Sequence, residues 1–448
     1  MIKTASDTGR ARHAAAGLLC LTLAFFPLLA QQENPLTLDT AVKLALTRNE
    51  RALATKESVA EAEAVVAQAR AYFLPAITAT GAYTRRPFEV RRTVGSSDVV
   101  IQRFNALSGS VNLNMTVFDS KSIPALNSAN SARQSAVDAA AESRRQLAFE
   151  VSQAFLSTLS TGQVLEASRH RYEYATQNLD AARARYSAGL ASINDVTLAE
   201  LEQATAELGV TQLDGQLKTS GLQLSYLLAA PAEAAKTLVV PEFLIEAAQG
   251  EAADTDRLVA EGQGRRLDLA SLRWLAKSYQ ALALDPLLRY LPSLSLSGQY
   301  RYTNEAGLTG QTTNWNVGMT LSWSIFDGFT RNADYKYLKA QARLADLDVQ
   351  TSMRKVEVDV REALVSLASQ RASLKQAKVA QEAALKNASE TAELYRQGLA
   401  SALQVADANV RLFEAEVALV SQRYGLGIAF LNLEAALGLD PFGKEPIH

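Results

Sequence analysis

The chain is 448 residues long, a length that ordinarily implies about three domains, yet it holds only 23 Gly and 11 Pro. So few turn formers favour a small number of very long elements, and the abundance of Ala, the best helix former, makes those elements helices. One Cys, three His, four Met and a formal charge of −2 argue against a soft-metal centre, a thiol enzyme and nucleic-acid binding driven by bulk charge.

Residues 1–30 carry Lys3, Arg10 and Arg12 ahead of an apolar run from Ala14 to Ala30, followed by the polar QQENP. That order predicts a secretory signal peptide cleaved after Ala30; the unbroken apolar part is short for a transmembrane anchor of roughly 20 residues. Cys20 lies inside the run behind Leu19, where lipoprotein processing prefers a small residue, so no lipid anchor is expected. The mature chain then has no cysteine and a formal charge of −4. It must be held by packing rather than disulfides. No later stretch offers 18 unbroken apolar residues, so any membrane crossing must use strands.

The rest of the chain repeats one plan. LPAITATGAYTRR from Leu74 and LPSLSLSGQYRYT from Leu291 pair Pro75 with Pro292, Gly81 with Gly298 and Tyr83 with Tyr300. NLNMTVFD then ends at Asp119 and TLSWSIFD at Asp327, and RYSAGLAS and LYRQGLAS follow at nearly equal distances. The predicted units are residues 31–231 and 265–441, joined by a connection at 232–264 and closed by a tail at 442–448. Each unit begins with a helix.

Within each unit two segments alternate with period two, as half-buried strands do. They are predicted at 76–84 and 109–118 in the first unit and at 293–303 and 314–326 in the second. Val111, Leu113, Met115 and Val117 alternate with Ser and Asn, and Trp315, Val317, Met319, Leu321, Trp323 and Ile325 do the same in the fourth segment. Strands of this length with aromatic ends suit an outer-membrane barrel, with those ten residues facing lipid and the small polar ones facing a wet lumen. A soluble antiparallel sheet packed on helices is the alternative; the scarcity of Lys and Glu on the polar face counts against it. Four strands cannot close a barrel, so the membrane reading requires an oligomer.

Between strands the chain reads as helix, from Ser122, taken as an N-cap, to Ser187 and from Thr330 to Gln397. Each rod would be on the order of 100 Å long. Val356, Val360, Ala363 and Leu367, and on the return helix Val405, Ala408, Leu412, Ala415 and Leu419, follow coiled-coil spacing. Gly189 and Gly398 suit the left-handed position that ends a helix, giving two antiparallel hairpins with tips near 189 and 398. Arg85, Arg86, Arg91, Arg92 and Arg103 cluster in the long gap between the first two strands; they read as a solvated loop or as a surface for anionic glycolipid. His170, among Arg169, Arg171 and Tyr172, reads as a surface residue.

The signal, the LTLDTAVKLALTRNE segment, the two LP-strand-strand-FD units, the two GLAS turns and the ALGLDP ending together resemble the TolC-like outer-membrane factors. The resemblance implies a mainly α fold with membrane β: a homotrimer whose subunits each give four strands to a twelve-stranded barrel that continues into a periplasmic α-helical coiled-coil tunnel. It implies a passive exit duct in the Gram-negative outer membrane, without catalytic centre, metal or cofactor. The duct is docked through a periplasmic adaptor to an inner-membrane transporter of a tripartite efflux pump or type I secretion system.

By the same resemblance the tip residues Gly189, Leu190, Ala191, Ser192, Gly398, Leu399, Ala400 and Ser401 meet the adaptor. Asp195, Tyr395 and Asp407 constrict the entrance, Asp407 as a ring of carboxylates. Gln404 and Ala400 stand where some relatives carry an acidic residue and an arginine, so the latch here differs from theirs. For the bare turns the competing reading is good turn chemistry, and for the aspartates a solvated helix face. A soluble periplasmic adaptor with a coiled-coil hairpin is the runner-up from another class, and the doubled hairpin argues against it. A periplasmic enzyme is a third reading, but no nucleophile, base and orienting group stand at a recognisable spacing.

Overall fold

The computed structural model describes residues 35–231, 237–250, 254–306 and 309–445. The expected signal peptide, Cys20, parts of the connection and the end of the tail lie outside them. Helices α1 (Leu38–Arg48) and α2 (Glu50–Ala71) lead into strand β1 (Ala76–Arg85). A small hairpin, β2 (Val90–Val94) and β3 (Ser97–Gln102), precedes β4 (Asn105–Phe118). Then come the rod α3 (Ser122–Ser187) and its return α4 (Ile193–Leu228), the short helices α5 (Glu242–Ala247) and α6 (Thr255–Arg265), and α7 (Leu267–Leu282) with α8 (Asp285–Leu288). The plan repeats with β5 (Ser293–Thr303), β6 (Thr313–Ser322), the rod α9 (Thr330–Arg396) and its return α10 (Ala402–Ala436).

Several bounds differ from expectation for local reasons. Strand β4 begins four residues early because Asn105–Ser108 pair with the end of β1. Strand β6 stops at Ser322, so Trp323 and Ile325 lie beyond the sheet. Ser122 is the first helical residue of α3 and not its cap; Lys121 holds the cap position and supplies no side-chain hydrogen bond. The arginine-rich gap is not simply a loop, since β2 and β3 pair around Gly95, whose φ of 66° the turn requires.

The sheet order is β1-β4-β5-β6, all antiparallel. Register places Ile77, Leu113, Gly298 and Val317 in one row and Ala79, Val111, Tyr300 and Trp315 in a second row on the same face. Between them run Thr78, Asn112, Gln299 and Asn316 on the other face. One face is therefore apolar across all four strands. The other carries a polar network in which the Gln299 amide donates to Asn112 at 2.7 Å and the Thr80 and Ser110 hydroxyls meet at 2.8 Å.

The largest cores lie where the rods meet the short helices, far from both sheet and tips. Val151, Phe155, Leu224 and Leu228 pack with Leu38, Ala41, Val42 and Ala45 of α1. On the other side Val356, Val360, Ala363 and Leu367 pack with Leu426 and Leu433. These four α9 residues follow the spacing of alternating threes and fours that puts them on one stripe; Ala415 and Leu419 on α10 are only half-buried. Gly262 allows α6 to approach, since a Cβ there would stand 3.2 Å from the Ala436 carbonyl.

Glu434 is buried in this region, with one carboxylate oxygen lacking a partner. Burial, aided by the nearby charge of Asp440, pushes its pKa up to about 8. The folded chain thus binds a proton that the unfolded chain releases near pH 4.5, and stability falls as pH rises between those values. Glu434→Gln should raise the thermal midpoint by a few degrees at pH 8 and above while changing it little at pH 5, as followed by circular dichroism.

Candidate channel gate and membrane-facing sheet

The two tips share one design. At each, the rod's end is closed by a glycine with positive φ, 74° at Gly189 and 79° at Gly398. The Leu190 and Leu399 amides reach back 2.8 Å to the carbonyls of Arg185 and Leu394. Ser192 and Ser401 then cap the return helices in capping boxes. In the first box the Asp195 carboxylate accepts the Ser192 N–H at 2.9 Å; in the second, Gln404 accepts the Ser401 N–H at 2.8 Å. Asp195 is thus equivalent to Gln404, not to Asp407, and its carboxylate is engaged in starting α4. What protrudes at the tips is apolar: Leu190, Leu399, Ile193 and Leu403 are each more than half exposed.

Asp407 lies one turn further along α10 and pairs with Arg411 at 2.9 Å, both side chains well exposed. Tyr395 is half-buried under a residue that sequence reasoning passed over. The Arg185 guanidinium sits 4.5 Å from the centre of its ring and donates to the Tyr395 carbonyl at 2.8 Å. Higher up, Arg171 pairs with Glu202 at 2.7 Å and lies 5.1 Å from the Phe413 ring. Two arginines of the first hairpin therefore clamp two aromatic residues of the second. A cavity of about 530 Å³ opens between the hairpins beside them, lined by Arg185, Tyr395, Asn409 and Leu412. His170 is exposed, as expected, with Glu173 at 3.6 Å.

At the opposite end the FD sequences close the sheet onto the rods. Asp327 accepts the Arg331 backbone N–H at 3.0 Å and its Nε at 2.8 Å, while Arg331 also donates to the Arg289 carbonyl and covers the Tyr290 ring. Partial burial would raise the Asp327 pKa, but the Arg331 amide and guanidinium outweigh it and hold it below the usual carboxylate range. Gly328 and Phe329 both have φ of 66°, which turns the chain sharply into α9. In the first repeat Asp119 instead accepts the Tyr72 hydroxyl at 2.7 Å.

On the apolar face Val111, Trp315, Val317, Met319 and Leu321 are exposed, and Leu113 and Met115 half-buried; Val117, expected in the same row, is exposed at a register shift, and Phe118 stands opposite Leu294 instead. Trp323 and Ile325, although past the strand, remain exposed; the Trp323 indole donates to the Tyr290 carbonyl at 3.0 Å. Trp315 and Trp323 are eight residues apart, roughly 26 Å along an extended chain. Beyond the far end of the sheet, Glu305 pairs with Arg86 and accepts the Arg103 N–H at 2.7 Å. Asn304 exchanges hydrogen bonds with Leu107 and Asn105. The Arg86 side chain and both Arg103 and Arg85 thus have local partners, the last lying 5.0 Å from the Phe104 ring.

The sequence model of the family described as outer membrane efflux protein matches residues 41–230 and 258–439. The chain belongs to that family, and it is an outer-membrane efflux channel. Outer membrane protein TolC of Vibrio cholerae serotype O1 is 24% identical over 390 residues, covering 83% of this chain and 84% of the relative. That of Escherichia coli K12 is 24% identical over 440 residues, covering 94% and 85%. Among solved structures, the Campylobacter jejuni CmeC outer membrane channel superposes with a TM-score of 0.76 at 16% identity, over 92% of this chain and 87% of its own. VceC of Vibrio cholerae does so with 0.74 at 16%, over 90% and 96%. These likenesses establish the fold.

Removing the Arg185 side chain deletes one cation–π contact and one hydrogen bond between hairpins. Arg185→Ala should speed amide hydrogen exchange around residues 393–404 by about five- to tenfold, with no change in the cores near Phe155 and Val360.

Proposed function

We propose that three copies of this chain close one twelve-stranded barrel and that their helical hairpins form a tunnel shut at the tips when at rest. The observation that carries this reading is the sheet itself, apolar across one face and, among the described residues, unpaired along both β1 and β6. Exposed edges are not tolerated in hydrocarbon, because each unmatched N–H or C=O costs several kcal/mol. Pairing β6 of one copy with β1 of the next removes every edge at once. Val111, Leu113, Met115, Trp315, Val317, Met319 and Leu321 then face lipid, with Trp323 just past the strand at the level of the second aromatic belt, and the Asn, Ser and Thr rows line water.

The rods carry the duct away from the membrane by on the order of 100 Å each, far enough to meet an adaptor in the periplasm. Leu190, Leu399 and their neighbours form the adaptor contact, and an inner-membrane transporter supplies the energy. The channel is passive and performs no catalysis. At the entrance Tyr395, held by Arg185, sets the hairpin spacing. Asp407 with Arg411 presents three mixed-charge pairs to the lumen, while Asp195 fixes the shape of the first tip.

Detergent-extracted protein should contain three chains per particle and conduct in planar bilayers; conduction by a single chain would sink the proposal. Asp407→Ala should raise conductance or lower preference for cations by about twofold or more. Unchanged single-channel behaviour would remove Asp407 from the constriction.

A further inference from the structure

The polar face of the sheet is nearly free of charge. Register assigns to it the even-numbered residues of β1, of β4 as far as Thr116 and of β6, and the odd-numbered residues of β5. They are Ala, Gly, Ser, Thr, Asn and Gln, with Arg301 as the single exception. The four strands hold no Asp or Glu at all. Their other arginine, Arg85, stands on the apolar side beside Phe104, 5.0 Å from its ring.

Arg301 shares a row with Thr80, Ser110 and Asn314, one step beyond the row of Tyr300 and Trp315. It lies two residues from the end of β5, at the mouth of the sheet farthest from the rods. The neutral neighbours bond with one another: the Thr80 and Ser110 hydroxyls meet at 2.8 Å, the Asn112 amide donates to Ser110 at 3.2 Å and the Gln299 amide to Asn112 at 2.7 Å. Among the described residues the exposed Arg301 side chain has neither an ion pair nor a hydrogen bond. Glu305, the nearest acidic residue in sequence, is already held by Arg86 and the Arg103 N–H. The Arg301 guanidinium therefore keeps its charge, which no protein deprotonates, and its whole fork of donors for what fills the lumen.

The next step rests on the trimeric barrel proposed above. Threefold closure turns one arginine per chain into a ring of three at one level of the wall. Walls of low dielectric focus such a charge into the water they enclose. Rows of Ser, Thr and Asn treat solutes of either sign alike; only the ring discriminates. We propose that Arg301 is a specificity-determining residue of the exit, where its ring favours anionic solutes over cationic ones and holds multivalent oxyanions such as phosphates. A single negative charge is held weakly in water and passes, whereas a multivalent anion spans the ring and lingers. The two ends of the duct then differ in kind: Asp407 at the tips is balanced by Arg411, and Arg301 at the mouth is unbalanced.

The test uses the full trimeric channel in planar bilayers, with inositol hexakisphosphate added on the side of the sheet's loops, where it meets the ring without passing the tips. It should block the wild-type current, less strongly as salt rises. Arg301→Gln should raise the half-blocking concentration about tenfold or more, the weight of a lost bond between charged groups. The same change should lower the anion-to-cation permeability ratio about twofold, and Arg301→Lys should keep most of that ratio. Because the side chain is bonded to nothing in the fold, neither variant should alter trimer content or the thermal midpoint. Arg92→Gln, which removes an exposed charge from the β2–β3 hairpin, should be blocked like the wild type. Conducting trimers in which Arg301→Gln leaves block and reversal potential unchanged, or an equal loss of block in Arg92→Gln, would overturn the assignment and leave the barrel standing. Particles of one chain would overturn barrel and ring together.

Discussion

A backbone N–H or C=O has nowhere to bond in hydrocarbon except to another backbone group, and this chain brings a four-stranded sheet whose two edges are bare among the described residues. Everything else about the molecule is arranged around that deficit. The alternation of apolar and small polar residues is useful only if the sheet curves into a closed wall between lipid and water. Closure in turn requires that copies of the chain meet, which fixes the hairpins below as parts of a shared tube rather than as free coiled coils. The short helices between the rods supply the large buried cores, so the stable middle of the molecule holds both the sheet and the tips in position.

The tips are built to the opposite prescription. Their buried clusters are small, Leu179, Ala182 and Val196 at one and Ala388, Ala408 and Leu412 at the other. What joins the two hairpins is a pair of arginine–aromatic contacts rather than a continuous core. Such contacts are worth about 0.5–2 kcal/mol each, enough to bias a closed arrangement and few enough to be exchanged for another. Burial is graded along the rods, with the large clusters beside the short helices and the small ones at the tips, the distribution expected of a molecule whose tips open locally most readily.

Much of this was legible in the sequence because it depends on periodicity. The alternation in Trp315–Leu321 and Val111–Val117 identified strands, the absence of Gly and Pro from 330–396 identified a rod, and Gly189 and Gly398 identified its ends. The small hairpin β2–β3 escaped because its strands are short and its arginines drew attention as charge. Arg185 escaped because its partner Tyr395 is 210 residues away, and no local pattern announces a stacking contact between distant helices. The GLAS turns already align Asp195 with Gln404, three residues after Ser192 and Ser401; what the sequence did not announce is that both side chains are spent on capping boxes. Ser122 followed by Pro124 imitates a helix start, and the cap position falls one residue earlier.

The central claim, that the two sheet edges are paired between copies, is tested most directly by backbone amide exchange on the channel reconstituted in lipid vesicles. Alternate amides of Ala76–Arg85 and Thr313–Ser322 point away from the sheet within one chain. If neighbouring copies close the barrel, these amides exchange as slowly as the central ones in β4 and β5. Fast exchange along either edge, with the centre still protected, would contradict the account.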